Sequence, residues 1–337
     1  MSDTDTIVTG GSGFVGLAVV EQLLLRGESV AIADVIPPPE EFVAHAGTLG
    51  GRLAFHPLDV QQGPAVAQLL ERLAPRTVIH AAAVTSDAAR ERRDPDLVVR
   101  TNLMGTLNLL EAVRQGPGCR LVHLSTSGVY GDIANRRGFH ASAIDEEVPP
   151  DPRTLYAVSK AAAELTVRRY AELFGLDAVC ARIGICWGPW EYDTGLRDPF
   201  SAPLQLLRTA ARRGQAALAR DAIKDWAYSR DVGRAVVAIK DAGQTPSQVY
   251  NVGADAVWPI SAWAERLRDA FPGFAFALPE PASPTIELYG PKDRPPLSVE
   301  RLKSEIGFAF AYDREAAFAD YLDWAGRFAC WKSGEAR

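Results

Sequence analysis

Cysteine and histidine are scarce in this chain of 337 residues. Its four cysteines (Cys119, Cys180, Cys186 and Cys330) and five histidines are scattered, without the short spacings of disulfide frameworks or metal sites. Long apolar runs are lacking as well, since segments such as 77–84 are too short to cross a bilayer. The sequence therefore predicts neither a metal site nor a membrane span.

Blocks of positive charge are also absent. The chain has 36 Lys and Arg against 42 Asp and Glu, a formal net charge of −6, and no basic stretch of the kind that binds nucleic acid. Residues 1–5 are polar and lack the basic and apolar regions of a signal peptide. These features predict a cytoplasmic protein with no nucleic-acid partner.

What the chain does contain is a glycine-rich turn, 8–16, between a short apolar strand candidate and a helical pattern. Gly10 would permit a tight turn, Gly13 the close approach of a pyrophosphate, and Gly16 close packing of the helix. The N-terminus of the helix would offer unpaired N–H groups to the phosphates. A second strand candidate ends at Asp34, where an acidic residue is expected to meet the adenosine ribose. The pattern predicts a dinucleotide-binding βαβ unit.

Asp34 also indicates which dinucleotide binds. A carboxylate accepts hydrogen bonds from a free 2′-hydroxyl but repels a 2′-phosphate, and residues 35–37 include no arginine to receive that phosphate. The sequence therefore predicts NAD rather than NADP.

Strand and helix patterns alternate through the first half of the chain, which is typical of an α/β protein with a Rossmann-type, doubly wound parallel sheet. Beyond Gly188 proline, glycine and tryptophan become frequent and the alternation breaks. We predict a dinucleotide-binding domain over 1–186, to which 228–253 return, and a smaller C-terminal substrate-binding lobe over 187–227 and 254–331. Helices are expected over 15–24, 65–73, 96–115 and 155–174, and strands over 6–8, 29–33, 52–56, 77–80, 119–125, 177–182 and 249–252.

A second motif is suited to acid–base chemistry. Tyr156 and Lys160 stand four residues apart in a helix candidate and so share one helical face. A neighbouring ammonium favours the phenolate, which lets a tyrosine take the proton of an alcohol near neutral pH. The strand candidate 119–125 runs into the hydroxyl cluster 125–127, and ligands of open α/β sheets collect at the carboxyl ends of strands. A hydroxyl there is expected to hold the substrate oxygen for Tyr156.

Together these motifs resemble the extended short-chain dehydrogenases/reductases, the NAD-dependent epimerase/dehydratase family. The similarity covers nearly the whole chain and implies hydride transfer from a secondary alcohol of a carbohydrate, with Tyr156 as the base. The segments that carry it are 10–16, Asp34, 58–60, 80–83, 101–106, 125–131, Tyr156 with Lys160, 182–189, 225–232 and 250–253.

The resemblance also implies roles for individual residues. The catalytic residues it implies are Thr126, Tyr156 and Lys160. The cofactor-binding residues it implies are Gly10, Ser12, Gly13, Phe14, Val15, Gly16, Asp34, Asp59, Val60, Ala81, Ala82, Ala83, Asn102, Ser125, Tyr156 and Lys160. The substrate-binding residues that we expect are Thr85, Ser127, Trp190, Arg197 and Arg230.

Three of these expectations have alternatives. Arg197 would pair with a carboxylate or phosphate and Trp190 would stack on a sugar, but the loop 190–199 is as readily a solvated one with local Arg–Asp pairs. Asn102 is equally well explained as a structural amide inside its helix. His80 is expected to be a core histidine.

Departures from the family pattern narrow the reaction. Family 4,6-dehydratases carry an acidic pair directly after the Thr and nucleotide-sugar decarboxylases carry a glutamate at the second position, whereas this chain has Ser127 and Gly128. Elimination and decarboxylation are therefore disfavoured. Ile185 replaces an asparagine, and 219–225 replace a glycine-rich loop, both of which usually serve the nucleotide of the substrate. A smaller sugar or sugar acid is therefore an alternative substrate.

We predict an NAD-dependent epimerase that removes hydride from a sugar or nucleotide sugar. The first alternative is a net dehydrogenase of a free sugar or sugar acid. The second is an NAD-binding regulator without turnover, although relatives of that kind lose the Tyr or the Lys, and both are present here.

The two long helix candidates carry more apolar residues than one buried face requires. In the family the corresponding helices pair across a twofold axis as a four-helix bundle, so a homodimer is expected. The alternative is that these residues pack beneath the C-terminal lobe. The residues concerned are Val98, Leu103, Leu110, Ala161, Leu165 and Tyr170.

Overall fold

A parallel sheet of seven strands forms the centre of the molecule. The computed structural model describes residues 4–116, 118–133, 142–243, 245–278, 284–288, 290 and 292–333, so residues 1–3 of the polar N-terminus lie outside it. The strands of the chain are β1 (Thr6–Thr9), β2 (Ser29–Asp34), β3 (Arg52–Pro57), β4 (Thr77–His80), β5 (Arg120–Thr126), β6 (Ala178–Ile183), β7 (Ile185–Trp187), β8 (Gln215–Ala217), β9 (Ile223–Lys224), β10 (Trp226–Tyr228), β11 (Val249–Val252), β12 (Trp258–Pro259) and β13 (Ala275–Ala277).

The order of strands in the central sheet is β11-β6-β5-β4-β1-β2-β3, and every neighbouring pair is parallel. Strands β1, β4, β6 and β11 are buried along their whole length, because helices cover both faces of a parallel sheet. The order reverses between β1 and β4, and such a switch point leaves a crevice at the carboxyl ends of the strands. This arrangement confirms the predicted α/β, doubly wound sheet.

Helices follow most of these strands. They are α1 (Phe14–Leu25), α2 (Glu40–Ala46), α3 (Gly63–Leu73), α4 (Ala88–Arg93), α5 (Pro95–Val99), α6 (Gly105–Gln115), α7 (Leu155–Phe174), α8 (Ala202–Ala211), α9 (Ser229–Asp241), α10 (Ile260–Ala270), α11 (Glu300–Ile306) and α12 (Arg314–Arg327). A π-helical turn, Arg100–Met104, joins α5 to α6, so the long helix predicted over 96–115 is present with one irregular turn. Within the described ranges, none of the helices has the length and apolar character of a membrane span.

The C-terminal half packs against the sheet through aromatic side chains. The ring of Trp187 lies 5.4 Å from that of Trp258 and 5.7 Å from that of Trp263, and Phe318 closes the same cluster. The buried core around α1 and β2 continues into this cluster without a break. The strand β11 joins the edge of the central sheet beside β6, where the returning segment was expected. The domain boundaries stay a prediction.

The residues proposed for a second buried surface fall into two groups. Val98, Leu110 and Ala161 are buried inside the chain, and Ala161 packs beneath Leu297 of the C-terminal half. Leu165, in contrast, is 54% exposed, and Leu103 and Tyr170 are half-buried. The first three are therefore excluded from an interface between subunits, and the homodimer stays a prediction.

Candidate active site

A cavity of about 1100 Å³ opens at the carboxyl ends of the central strands. This is the position at which open α/β sheets bind their ligands. The structure brings most of the predicted site residues together in its lining: Gly10, Gly13, Phe14, Val15, Gly16, Asp34, Asp59, Val60, Ala81, Ala82, Ala83, Thr85, Ser125, Thr126, Ser127, Tyr156, Lys160 and Arg197.

The glycine-rich turn forms one end of the cavity. Gly10 has a φ of +66°, and a Cβ atom there would lie 2.4 Å from the backbone of Ala82. A Cβ atom at Gly16 would lie 2.2 Å from the carbonyl oxygen of Gly10. Helix α1 begins after Gly13, and no side chain caps it. Its first N–H groups and its dipole are therefore available to a phosphate group.

Asp34 lies at the end of β2, in the same part of the cavity. Its carboxylate accepts hydrogen bonds from the backbone N–H groups of Ser12 (3.0 Å) and Val35 (2.7 Å). Burial raises the pKa of this carboxyl, and the backbone hydrogen bonds oppose that effect. Ser12 itself does not line the cavity, because its hydroxyl donates to the carbonyl of Ile36 (2.8 Å). The uncapped start of α1 fits the diphosphate of NAD, and the fixed carboxylate of Asp34 fits its adenosine ribose.

Three hydroxyl groups meet at the other end of the cavity. The hydroxyl of Tyr156 hydrogen-bonds with the side chains of Thr126 and Thr85. Burial raises the pKa of Tyr156, while these two hydrogen bonds and the charge of Arg197 oppose the increase. Burial has the largest effect on this pKa, and Arg197 is the cation that opposes it. The expected effect of Lys160 on the phenol stays a prediction.

Lys160 lies one helical turn beyond Tyr156 on α7. The cap of this helix sets the position of both, since the backbone N–H of Ala157 donates to the Thr154 hydroxyl (3.1 Å). The Lys160 side chain is 1% exposed, and its ammonium lies 3.4 Å from Nε2 of His123. Burial lowers the pKa of Lys160 to about 8.

The segment 190–199 closes the cavity from the C-terminal side. The backbone N–H of Thr85 donates to the carbonyl of Leu196 (3.0 Å), and Thr85 forms a parallel β-bridge with Arg197. Arg90 holds the segment from outside by donating to Asp198. These contacts carry Arg197 to the group of hydroxyls around Tyr156. The loop is therefore attached to the protein rather than solvated. Its Arg–Asp pair is not the expected local one, because Arg90 and Asp198 are 108 residues apart, and Arg197 pairs instead with Glu191 of the same loop.

Two of the predicted substrate-binding residues do not line the cavity. Trp190 is fully buried, donates from Nε1 to Glu21 (3.0 Å) and packs against Phe42. The guanidinium of Arg230 lies 3.1 Å from Asp320 and 3.7 Å from Glu21. Both predictions were wrong because Glu21 is a buried carboxylate on α1 that requires donors and a counter-charge.

Asn102 does not line the cavity either. Its side chain is fully buried and spans the loop after β4 and helix α7. Its Oδ1 accepts from the N–H of Val84 (2.8 Å), and its Nδ2 donates to the Val84 carbonyl (3.0 Å) and the Ser159 hydroxyl (3.0 Å). It acts as a structural amide that fixes the two elements behind the site, and the prediction that it contacts the cofactor was wrong.

Four cationic residues of the cavity were missed by the sequence analysis: Arg153, Lys224, Lys292 and Arg294. Lys224 is 3% exposed, burial lowers its pKa, and its Nζ lies 3.7 Å from Asp293. Arg294 lies 3.5 Å from Asp225, and its buried Nη2 atom has no hydrogen-bond partner among the described residues. The sequence contained a signal for Lys224 alone. Residues 224–226 stand where the family has an Arg-Asp-Phe segment, so Lys224 takes the position of the family's arginine. No cluster of His, Cys, Asp or Glu in the described part of the chain is arranged to hold a metal ion.

Comparison with known proteins agrees with this geometry. The NAD dependent epimerase/dehydratase family matches residues 6–253. The chain is similar to a probable dTDP-glucose 4,6-dehydratase of Sinorhizobium fredii, with 28% identity over 94% of this chain and 91% of the relative. Among solved structures it is similar to the Thermus thermophilus UDP-glucose 4-epimerase in complex with NAD (27% identity, TM-score 0.73, 98% and 100% covered). MoeE5, in complex with UDP-glucuronic acid and NAD, has the same fold (22% identity, TM-score 0.74, 96% and 99% covered).

The family match and the fold agree with the sequence analysis on three points. They confirm the resemblance to extended short-chain dehydrogenases/reductases, the doubly wound sheet and NAD as the cofactor. The chain therefore belongs to the NAD-dependent epimerase/dehydratase family.

Proposed function

We propose that this protein is an epimerase that inverts a secondary alcohol of a nucleotide sugar. The observation that carries the proposal is the set of groups around Tyr156. The hydroxyls of Thr126 and Thr85 and the charge of Arg197 act on its phenol, and residues 127 and 128 provide no carboxyl group. Such a set can take one proton from a substrate hydroxyl and return it, but it lacks the adjacent acid and base that elimination requires.

Each residue then has a separate task. NAD, when bound, supplies the acceptor and donor of the hydride. Tyr156 takes the proton of the substrate hydroxyl at its own oxygen and gives it back when the hydride returns to the other face of the sugar. Thr126 and Thr85 hydrogen-bond the reacting oxygen, and Lys160 holds a positive charge at the cofactor side of the site. Because the hydride returns in the same cycle, the reaction needs no second redox substrate.

The name of the Sinorhizobium fredii relative suggests elimination of water as the competing reaction. Family members with that activity carry an acidic pair directly after the Thr. The equivalent positions here hold Ser127 and Gly128, whose side chains offer no group that titrates near neutral pH. This chain therefore lacks the acidic pair that the family pattern associates with the dehydratase reaction, which supports epimerisation over elimination.

The charges of the cavity favour a substrate with anionic groups. The named relatives act on dTDP-glucose and UDP-glucose, and a nucleotide diphosphate would satisfy the cations Lys224, Lys292 and Arg294. It would also supply a hydrogen-bond acceptor for the buried Nη2 atom of Arg294, which lies 3.5 Å from Asp225 but makes no hydrogen bond within the described residues. We therefore place the diphosphate of the substrate beside Lys224, Lys292 and Arg294, although Ile185 replaces the asparagine that usually serves the nucleotide.

Arg197 favours a second anionic group close to the reacting carbon. Its Nε donates to Glu191 (3.2 Å), and its guanidinium lies 5.1 Å from the ring centroid of Phe14. These contacts orient a cation beside the phenol of Tyr156. A carboxylate on the sugar would pair with it, so we propose a nucleotide-linked uronic acid as the preferred substrate.

A substrate panel tests the reaction. UDP-, GDP- and dTDP-linked sugars with and without a C6 carboxylate, together with free aldoses and uronates, are assayed for epimer, for NADH and for loss of water. We expect the epimer of a nucleotide-linked uronic acid, without accumulation of NADH. Accumulation of NADH would identify a net dehydrogenase, and a deoxy keto sugar would identify a dehydratase; either result contradicts the proposal.

A substitution tests the role of Arg197. Arg197→Met removes the charge but keeps an apolar stem of similar length, and it should raise the KM for the uronic acid roughly ten- to a hundredfold. The neutral sugar with the same nucleotide is the matched control, because it also reports any loss of Tyr156 reactivity. Equal losses for the two substrates would show that Arg197 does not recognise a carboxylate.

A further inference from the structure

A buried imidazole lies directly behind Lys160 and outside the lining of the cavity. His123 on β5 is fully buried, and its Nε2 atom lies 3.4 Å from the Lys160 ammonium. Its other ring nitrogen, Nδ1, is buried and has no hydrogen-bond partner among the described residues. Burying a half-satisfied polar ring is unfavourable where an apolar side chain would be neutral. The contact with Lys160 is therefore the feature that accounts for a histidine here.

A second histidine packs against this ring. His80 lies opposite His123 on the neighbouring strand β4, and the two rings are 5.3 Å apart. Its nitrogens contact the hydroxyls of Thr9 (2.7 Å) and Thr106 (3.0 Å). The Thr106 hydroxyl donates to the carbonyl of Asn102, so its oxygen accepts from Nε2–H of His80. Burial lowers the pKa of His80 to about 3. His80 is thus a fixed neutral ring that does not compete for Lys160.

The other titratable groups that face Lys160 do not replace His123. Cys180 stands in register beside His123 on β6, and burial raises the pKa of its thiol far above the usual range. Glu164, on the same helix, is held by Arg182 (2.6 Å) and accepts from Ser125. Tyr156, also on α7, hydrogen-bonds with the two threonines of the site. Within the described chain, His123 is the hydrogen-bond acceptor that the structure gives to this ammonium.

We propose that His123 is a positioning residue for Lys160: its neutral imidazole accepts a hydrogen bond from the ammonium at Nε2, fixes that group from the sheet side and keeps it charged. The consequence for catalysis rests on the proposed function. Burial already lowers the pKa of Lys160 to about 8. Loss of the acceptor would lower it further, because a buried ammonium without a partner is unfavourable. The enzyme would then lose the charged lysine near neutral pH.

Lysine NMR tests this without any substrate. The chain has only six lysines, so the Lys160 signal of protein labelled at lysine can be assigned with Lys160→Arg. His123→Phe keeps a ring against His80 but removes the acceptor, and it should lower the pKa of Lys160 by about one pH unit. His123→Gln places an amide oxygen near the position of Nε2. The pKa of Lys160 in this variant should therefore stay close to that of the unaltered protein. His80→Phe is the matched control, since it replaces a buried imidazole that does not bond Lys160.

A measurement on the unaltered protein guards against variants that fail to fold. Because Lys160 donates to Nε2, imidazole 15N NMR should show neutral His123 with its proton on Nδ1. A proton on Nε2, an unchanged Lys160 titration in His123→Phe, or an equal shift in His80→Phe would each overturn the proposal. These results do not depend on turnover. Absence of turnover in the unaltered enzyme contradicts the proposed function and leaves the role of His123 standing. If the enzyme is active, the alkaline limb of the kcat–pH profile of His123→Phe should shift to lower pH by the same amount as the pKa of Lys160.

Discussion

The two ends of the cavity are built from different parts of the chain. At the cofactor end the contacts come from the backbone: the turn at Gly10, the uncapped start of α1 and the N–H groups that hold Asp34. At the substrate end they come from charged side chains on loops and short edge elements, such as Arg197 in the segment 190–199 and Lys224 on the two-residue strand β9. Backbone contacts are set by local geometry and allow few replacements. Side chains on loops can be exchanged one at a time without disturbing the sheet.

This difference explains how substrate preference changes while the hydride chemistry stays the same. The chain keeps the glycines, Asp34, Tyr156 and Lys160 of its family, but it departs from the family pattern at Ile185 and over 219–225. All of these departures lie on the substrate side of the cavity or next to it. Under the proposed function, the chain would therefore keep the fold of a relative with 28% identity and differ from it in the reaction.

The largest effect is expected at Tyr156, among the three hydroxyl groups opposite the glycine-rich turn. Tyr156→Phe keeps the aromatic ring but removes the hydroxyl that bonds Thr126 and Thr85. We expect kcat to fall about 10²- to 10⁴-fold, because a general acid–base group is lost. NAD affinity, measured by calorimetry, should stay close to that of the unaltered enzyme. Turnover near the original rate would show that another group moves the proton.

A substitution at Gly10 tests how strictly the backbone defines the cofactor end. Gly10→Ala places a Cβ atom 2.4 Å from the Ala82 backbone in a residue with φ +66°. We expect a loss of about 3 kcal/mol or more in the free energy of unfolding, together with a loss of NAD affinity.

Gly175 provides the matched control. It has the same φ of +66° at the end of α7, but no atom lies within 4 Å of the position of its Cβ. Gly175→Ala should therefore cost about 1 kcal/mol from backbone strain alone. Comparing the free energies of unfolding of the two variants in urea separates the cost of backbone strain from the cost of steric overlap with the Ala82 backbone. Equal costs would mean that the turn relaxes to accept a side chain, and the cofactor end would then be less rigid than we infer.

The two ends also differ in how far the sequence predicts them. Gly10, Asp34, Tyr156 and Lys160 belong to short patterns with fixed spacing, so the sequence places them in the cavity before the fold is known. Trp190 was assigned wrongly because its partner Glu21 lies 169 residues away in the chain. No local sequence pattern shows that the Trp190 side chain will hydrogen-bond with a buried carboxylate instead of lining the cavity.

The missed residues have the same cause. Lys224 and Arg294 reach the cavity only because the C-terminal half folds back over the sheet. Arg197, whose charge opposes the rise in the pKa of Tyr156, is likewise brought into place by a β-bridge to Thr85, a residue distant in the sequence. Local spacing predicts the elements of a site, whereas the charges between those elements depend on contacts distant in sequence.

A smaller effect is expected at Asp34. Asp34→Ser removes the carboxylate that would repel a 2′-phosphate, while a hydroxyl remains to bond the ribose. We expect NAD affinity to fall and NADP affinity to rise, so that the preference for NAD decreases by about tenfold or more. Binding measurements with both cofactors test this. Equal or tighter NADP binding by the unaltered protein would show that the carboxylate does not face the ribose.

The smallest effect on turnover is expected far from the cavity, at the predicted dimer surface. Apolar side chains on or next to α6 and α7 remain exposed in the single chain: Met104 (44%), Val158 (45%), Leu165 (54%) and Phe174 (48%). Such a group on two adjacent helices is suited to a four-helix bundle between two copies of the chain. We therefore expect a dimer mass in light scattering at micromolar concentration.

Leu165→Glu tests that surface, because a charge there would be buried between the two copies. We expect a monomer whose NAD affinity is nearly unchanged, since Leu165 is not part of the cavity lining. Leu25→Glu is the control: Leu25 is also 54% exposed, but it lies at the end of α1. If both variants stay dimeric, the interface lies elsewhere. If the unaltered protein is already a monomer, the exposed residues of α7 do not serve assembly, and this chain does not form the four-helix bundle of its family.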